Sequence, residues 1–283
     1  MTEEKKTKLS IIVNHYRTPD VLKMCLDSIK KYVKGIDYEI IVGDSATQEQ
    51  TANMMQEYYP DILFMPHDKN VGFAGMVNPA IKKARGEFLF IINADIIALE
   101  NGGVEKMIEY LEKNPEIGIL GPKLLNIDGS LQQTYFREYN PFIILTKRTV
   151  LRKTRFGKKM IDKFNYKDKG DIKSPLPVTW LMASAYLIKK DRFQKVGPFF
   201  DSRFFMYFED TDLSRRFREK SMKVVYYPEV QFTHHHTRQS FGGKGLFDVF
   251  TNKLTRVHIG SYIKYIWKWK IVALFGKSKF FKS

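Results

Sequence analysis

Along the first hundred residues, short apolar runs alternate with segments whose apolar positions recur every three or four residues. Leu9-Ser10-Ile11-Ile12-Val13 is a β-branched run that reads as a buried strand, and Asp20 to Tyr32 places Val21, Leu22, Cys25, Leu26 and Ile29 on one helical face. Tyr38 to Val42 predicts a second strand, Thr51 to Tyr59 a helix, and Ile62 to Met65 a third strand. Val77 to Ala84 predicts another helix, and Phe88 to Ile92 a fourth strand. Such alternation builds a mostly parallel sheet flanked by helices, an α/β fold. Each strand ends in polar residues, and ligands of open α/β sheets lie beyond the carboxyl ends of the strands.

Past residue 100 the rhythm changes. Val104 to Leu111 predicts a helix, Ile117 to Leu120 a short strand, and Asn126 to Ser130 a turn. Residues 141–173 are basic and without clear period, which suits a mobile segment or an amphipathic helix. Val178 to Ile188 reads as a strand pair or strand and turn, Thr211 to Lys220 as a helix, and Val224 to Tyr227 as a last strand.

Charge adds a second feature. The chain carries 47 Lys and Arg against 31 Asp and Glu, a net +16, and two stretches hold nearly all the excess. Lys147 to Lys159 has seven basic residues and no acid, and Thr251 to Ser283 has eight and no acid. Patches of this kind suit an anionic surface, nucleic acid or the cytoplasmic leaflet. In the second stretch Ile259, Tyr262, Ile263 and Ile266 recur at helical spacing, with Trp267, Trp269, Phe275, Phe280 and Phe281 among lysines. That composition suits a helix in a membrane interface; the alternative is a helix packed on the rest of the chain or on a second copy. No run of about 18 apolar residues reads as a membrane span, and the charged Met1 to Lys8 lacks the apolar core of a signal peptide. The expectation is a cytoplasmic protein. Its single Cys25, in an apolar stretch, reads as a buried thiol.

Three constellations carry candidate chemistry. The Phe88 to Ile92 run ends in Asn93-Ala94-Asp95; an aromatic stretch leads into Glu209-Asp210-Thr211-Asp212; and His234-His235-His236 holds half of the chain's six histidines. A carboxylate with an imidazole suits a divalent cation, and a separate acid suits a general base. The acids at 209, 210 and 212 could equally complement the dipole of the helix they open.

Together these segments resemble a family-2 glycosyltransferase with a GT-A fold, of the rhamnosyltransferase-like branch. The resemblance runs from about Leu9 to Ser240 and rests on "IIVNHYRTPDVLKMCLDSI", "YEIIVGDSAT", "NVGFAGMVNPAIKKARGEFLFIINADI", "NPEIGILGPKLLNIDGSLQ", "FFDSRFFMYFEDTDLSRRFREKSMKVVYYPEV" and "THHHTRQS". It implies a catalytic domain over residues 1–245, with a nucleotide-binding part at about 9–100 and an acceptor part at about 101–245. A basic aromatic extension, 246–283, follows. By position, His15, Tyr16, Arg17, Asp44, Asn93 and Asp95 would bind the nucleotide, and Asp95 with His234 or His236 would hold Mg²⁺ or Mn²⁺. Asp210 would be the base with Glu209 beside it, and Trp180, Ala183 and Ser184 would line the sugar pocket. Asp212 is expected as a helix cap, and Arg137 as an acceptor or phosphate contact or a solvated loop residue.

The implied reaction is inverting transfer, most simply of L-rhamnose from dTDP-rhamnose, to a glycan hydroxyl on a lipid-linked acceptor at the membrane face. A UDP-galactofuranose or UDP-hexose donor, or a silent membrane-surface scaffold, are the alternatives. A homo-oligomer is allowed, and a nucleic-acid partner is not expected. Departures from the family pattern are Asn93 in place of the first Asp of Asp-x-Asp, Ser45 where Asn is common, and Trp180-Leu181-Met182-Ala183-Ser184 in place of Trp-x-Ser-Gly-Ala.

Overall fold

In the computed structural model, which describes residues 7–235 and 252–275, the apolar runs form the strands of one large sheet and a two-stranded ribbon. The strands are β1 (Leu9–His15), β2 (Tyr38–Ser45), β3 (Leu63–His67), β4 (Phe88–Asn93), β5 (Ile96–Ala98), β6 (Ile117–Leu125), β7 (Tyr135–Phe136), β8 (Leu176–Pro177), β9 (Trp180–Leu181), β10 (Ala185–Lys189) and β11 (Lys223–His234). The helices are α1 (Pro19–Tyr32), α2 (Glu49–Tyr58), α3 (Gly72–Lys83), α4 (Gly103–Lys113), α5 (Pro141–Arg148), α6 (Arg155–Phe164), α7 (Phe193–Val196), α8 (Glu209–Glu219) and α9 (Lys253–Phe275).

The sheet order is β3-β2-β1-β4-β10-β6-β11-β5, with β8 beside β11, while β7 and β9 form a separate ribbon. The pairs β3–β2, β2–β1, β1–β4 and β6–β11 are parallel, and β10, β5 and β8 run against their neighbours. The expected mostly parallel α/β sheet is therefore present. Strand alternation splits the core in two. Leu9, Ile11 and Val13 face α1 and α4, whereas Ile12, Leu89 and Ile91 face α3 and α8.

Local chemistry explains the element ends. Helix α1 opens on Pro19, whose fixed φ suits the first helical position, has Asp20 in its first turn, and closes on Lys30 and Lys31. Cys25 is buried on its inner face, as expected, and burial pushes its thiol well above the ordinary range. Helix α3 starts five residues before the expected Val77, at Gly72 with φ +71. A Cβ there would collide with the backbone of Phe205, so the glycine permits a close approach sealed by the Phe73 N–H donating to the Phe205 carbonyl at 3.1 Å.

Strand β11 runs seven residues beyond the expected Tyr227. Pro228 has no N–H for the ladder, and the register against β6 shifts between Tyr227 and Gln231, after which pairing resumes to His234. Residues 141–164, expected as a mobile segment or an amphipathic helix, form two capped helices. Asn140 accepts from the Ile143 N–H at 2.8 Å to open α5, and Thr154 accepts from the Gly157 N–H at 3.0 Å to open α6.

Of the two readings of the C-terminal helix, the structure shows the one in which it packs on the rest of the chain. Tyr265, Lys268 and Trp269 are buried against Phe204 and Phe208, so one face of α9 is part of the protein core. Lys268 donates to Asp201 Oδ2 at 2.7 Å and lies 2.6 Å from Asp212 Oδ1.

Candidate active site

The carboxyl ends of β1, β2, β4 and β11 lie at one edge of the sheet, and the amino end of antiparallel β10 reaches the same edge. Pairing in register sets His15 of β1 beside Asp44 of β2, and Asn14 beside Asn93 of β4. His15 Nε2 accepts from the Thr18 N–H at 3.0 Å, which leaves the ring proton on Nδ1 to be donated to Asp44 Oδ1 at 2.8 Å. Both side chains are fully buried, and Asp44 Oδ2 has no hydrogen-bond partner in the protein. A buried carboxylate oxygen without a donor is suited to a ligand N–H. His15 thus orients Asp44 rather than facing outward. Tyr16 and Arg17 are the outward members of this loop: Tyr16 is exposed, the Arg17 guanidinium lies 5.2 Å from its ring, and Arg17 has φ +57. Non-glycine residues in that region concentrate at functional loops.

The Asn93-Ala94-Asp95 turn is fixed through its backbone. Asn14 Nδ2 donates to the Ile92 carbonyl at 2.8 Å and to Asn93 Oδ1 at 3.1 Å, and the Ala94 N–H reaches the Asn14 carbonyl at 3.0 Å. The His235 N–H donates to the Asp95 carbonyl at 2.8 Å, tying the end of β11 to the same turn. His234 is buried, with Nδ1 2.6 Å from Gln132 Oε1 and Nε2 3.0 Å from Asp95 Oδ1. Gln132 Oε1 can only accept, so His234 Nδ1 carries the proton donated to it. Asp95 Oδ1 receives no hydrogen bond within the protein despite the short separation.

A carboxylate and an imidazole so placed suit a divalent cation between them. Adjacent vertices of an octahedron with bonds of about 2.1 Å are about 3.0 Å apart. Among the described residues no group of three or more His, Cys, Asp or Glu side chains is arranged to hold a metal ion. A hard cation held by one carboxylate, one imidazole, water and phosphate oxygens needs no such group. His236 lies outside the described residues, and Gln132, which fixes the His234 ring, had no signal in the local sequence pattern.

Asp210 sits in the first turn of α8, next to the bent segment Tyr207-Phe208, both at φ +69. Two consecutive aromatic residues in the left-handed region are strained, and such strain collects at active sites. Burial pushes the Asp210 carboxyl up to about 6, partly offset by hydrogen bonds from Thr211 and from the Ala183 backbone. Thr211 donates its N–H to Asp210 Oδ1 at 2.7 Å. Glu209 is more deeply buried, its Oε2 has no partner, and burial together with the Asp210 charge raises its carboxyl well above the ordinary range.

The 180–184 segment connects the two acidic centres. Ala183 donates its backbone N–H to Asp210, and the next carbonyl, of Ser184, accepts from the Asn93 N–H at 3.0 Å. Trp180 plays a different part from the pocket-lining role expected of it. It is 5% exposed, donates Nε1 to the Arg137 carbonyl at 2.9 Å, and stacks on Phe136 and Tyr139 at ring separations of 4.5 and 5.3 Å. Arg137 is held by both oxygens of Asp168, at 2.7 and 2.8 Å.

Asp212, expected as a helix cap, is fully buried and bonded to Arg216 at 3.0 Å and to Trp269 Nε1 at 3.0 Å, beside Lys268. Asp201 takes Lys268 and Arg203; burial alone would raise its carboxyl, but these two cations outweigh it and hold it well below the carboxylate range. Helix α9 is thereby clasped to α8 two residues from Asp210. Nothing in the sequence linked positions 201, 212 and 268.

The family model for glycosyl transferase family 2 matches residues 10–174, more than half of the chain. The chain belongs to glycosyl transferase family 2. Curated relatives of this family-2 glycosyltransferase include the N-acetylglucosaminyl-diphospho-decaprenol L-rhamnosyltransferase of Mycobacterium tuberculosis, 27% identical over 207 residues, which take in 69% of this chain and 66% of that protein. They also include the O-antigen biosynthesis protein RfbC of Myxococcus xanthus, 24% identical over 81% of this chain and 17% of that protein. The chain thus spans just under two thirds of the first relative and a small part of the second. Among solved structures, the Pyrobaculum calidifontis mannosyltransferase PcManGT in complex with GDP-Man and Mn²⁺ superimposes with a TM-score of 0.57 at 14% identity, over 93% of this chain and 65% of that one. GalNAc-T7 with UDP, GalNAc and Mn²⁺ gives 0.60 at 14% identity, over 83% and 45%. These likenesses establish the GT-A fold, and the curated relatives bear out the resemblance to the rhamnosyltransferase-like branch.

Proposed function

We propose that the chain is an inverting glycosyltransferase that moves a sugar, L-rhamnose from dTDP-rhamnose as the leading candidate, onto a hydroxyl of a lipid-linked surface glycan at the cytoplasmic membrane face. The observation that carries the reading is the pairing of a raised carboxyl, Asp210, with the Asp95–His234 site through the single segment Ala183-Ser184. A base with a pKa near the working pH is the efficient kind. In the proposed step Asp210 takes the acceptor hydroxyl proton while that oxygen attacks C1 from the face opposite the diphosphate. The C1–O bond breaks, and its electron pair leaves with the nucleoside diphosphate.

Asp44 Oδ2 would accept from the N–H of the pyrimidine, and Tyr16 and Arg17 would cover base and ribose. Asp95 and His234 would hold Mg²⁺ or Mn²⁺, which neutralises charge growing on the diphosphate. The rhamnose assignment draws on the tuberculosis relative. A UDP-sugar donor draws on GalNAc-T7, whose structure holds UDP.

Calorimetry with dTDP-rhamnose, UDP-sugars and free nucleotides, with and without Mn²⁺, tests the reading. Metal-dependent binding of one nucleotide sugar, followed by product with inverted anomeric configuration, supports it; absence of binding to all of them overturns it. Asp95→Ala and Asp44→Ala are expected to separate in this assay. The first loses the Mn²⁺ dependence of nucleoside diphosphate binding, and the second weakens binding roughly tenfold or more with or without metal, as loss of a buried hydrogen bond to a ligand does.

A further inference from the structure

The segment between β7 and β8 is built firmly at its base and left apolar at its surface. Ile143, Thr146 and Phe164 are buried, and side-chain caps at Asn140, Thr149 and Thr154 open its three helical turns. Yet Phe142, Val150 and Phe156 are 70%, 77% and 74% exposed, among the most exposed large apolar side chains of the described residues. Around them Lys153, Arg155, Lys158 and Lys159 are exposed, and no acid occurs between Lys147 and Lys159. Bulky apolar side chains surrounded by bases of one sign match a surface that is anionic at its face and apolar beneath it.

We propose that this hairpin, residues 141–159, is a docking element that seats its apolar side chains in the headgroup region of an anionic lipid bilayer. The inference rests on the membrane-face reading above and assigns it to an element other than the C-terminal helix. Position supports it. Tyr139 and Ile144 pack with Phe208 and Tyr265, so the hairpin abuts both the residue that precedes Glu209-Asp210 and helix α9. On α9, Ile263 and Trp267 are 56% and 67% exposed, opposite the face that docks on the core. A bilayer under the hairpin would hold a lipid-linked acceptor next to the base. Single-stranded nucleic acid also combines bases with aromatic platforms. The aliphatic Val150 at the turn and Leu145 and Leu151, all exposed, offer nothing for a nucleobase to stack on and favour lipid.

The test uses the full chain and sedimentation with vesicles of phosphatidylcholine alone or with phosphatidylglycerol. Wild type is expected to bind the anionic vesicles and to be released as salt rises. The triple variant Phe142→Ser, Val150→Ser, Phe156→Ser and the variant Lys153→Glu, Lys158→Glu are each expected to lose roughly tenfold or more of that partitioning. Both are expected to retain the wild-type thermal midpoint, because these side chains are exposed. Anionic-vesicle binding that neither variant changes overturns the hairpin assignment and leaves the membrane reading with α9. Failure of the wild-type chain to bind any vesicle overturns both. Hairpin-dependent binding of a single-stranded oligonucleotide in place of vesicles identifies a nucleic-acid surface and overturns the lipid assignment.

Discussion

Asp210→Asn is expected to lower transfer by ~10²–10⁴-fold, the usual worth of the positioned general base proposed above, while nucleotide affinity stays within about twofold of wild type. Asparagine keeps the shape and can still accept from the Thr211 N–H, so the α8 turn survives. The same substitution is expected to stabilise the protein at neutral pH. Burial raises the Asp210 carboxyl to about 6, above its unfolded value of about 3.9. Between those values the native state binds more protons than the unfolded chain, so this group's contribution to stability falls as pH rises through the window. Asparagine removes that penalty, roughly 1–3 kcal/mol at pH 7. Urea denaturation of both forms at pH 4 and pH 7 checks it. The gain must be present at pH 7 and shrink at pH 4; a destabilised variant at pH 7 contradicts the buried-base description. In wild type, kcat is expected to rise with pH through about 6 and then level, because only the ionised carboxylate can take the proton. A rate without that acid limb points to a different base.

Lys268→Met is the substitution with the largest expected cost to stability. Lys268 is 4% exposed and lies between Asp201 and Asp212, themselves 7% and 0% exposed. Removing one member of a buried ionic cluster leaves charge without compensation, and such losses run to ~3–5 kcal/mol. Arg203 still holds Asp201 and Arg216 still holds Asp212, which sets the expectation near the lower end, about 3 kcal/mol. Chemical denaturation measures it directly. Trp269→Phe, which keeps most of the packing and removes only the Nε1 donor to Asp212, should lose less, about 1 kcal/mol. Because Asp212 stands two residues from Asp210, the lysine variant is also expected to lower kcat more than KM. If stability falls by 3 kcal/mol with kcat unchanged, the clasp holds the fold but does not position the base.

The clasp also shows why the tail reads ambiguously in the sequence. Aromatic residues among lysines have the composition of an interfacial helix, and the same composition serves a helix whose lysine is neutralised by buried carboxylates. Periodicity separates a wet face from a dry one, but it cannot say what supplies the dry side. On α9 the buried Tyr265 and Trp269 and the exposed Ile263 and Trp267 are equally apolar. Only the positions of Asp201, Asp212 and Phe208, which come from another part of the chain, divide them.

Much else was legible. Runs such as Leu9 to Val13 and Phe88 to Ile92 have the length and β-branched composition of buried parallel strands, and each became one. Polar residues that interrupt an apolar strand must find partners or lie at its end, so Asn14-His15, Asp44-Ser45 and Asn93-Ala94-Asp95 read as a shared edge from the strand pattern alone. What local pattern left out follows from distance along the chain. Gln132 fixes the His234 ring from 102 residues away, and the strand that delivers His234 passes a proline whose bulge no run of hydrophobicity records. Likewise the sequence set acids at 209, 210 and 212, but burial separated them: it raised the carboxyls of Glu209 and Asp210 and made Asp212 the partner of cations. Side-chain type and period are properties of neighbours in sequence, and they determined the strands, the α/β architecture and the family. Desolvation and ion pairing are properties of neighbours in space, and the tertiary structure alone decided which carboxylate is raised, which is clasped, and which lies beside an imidazole.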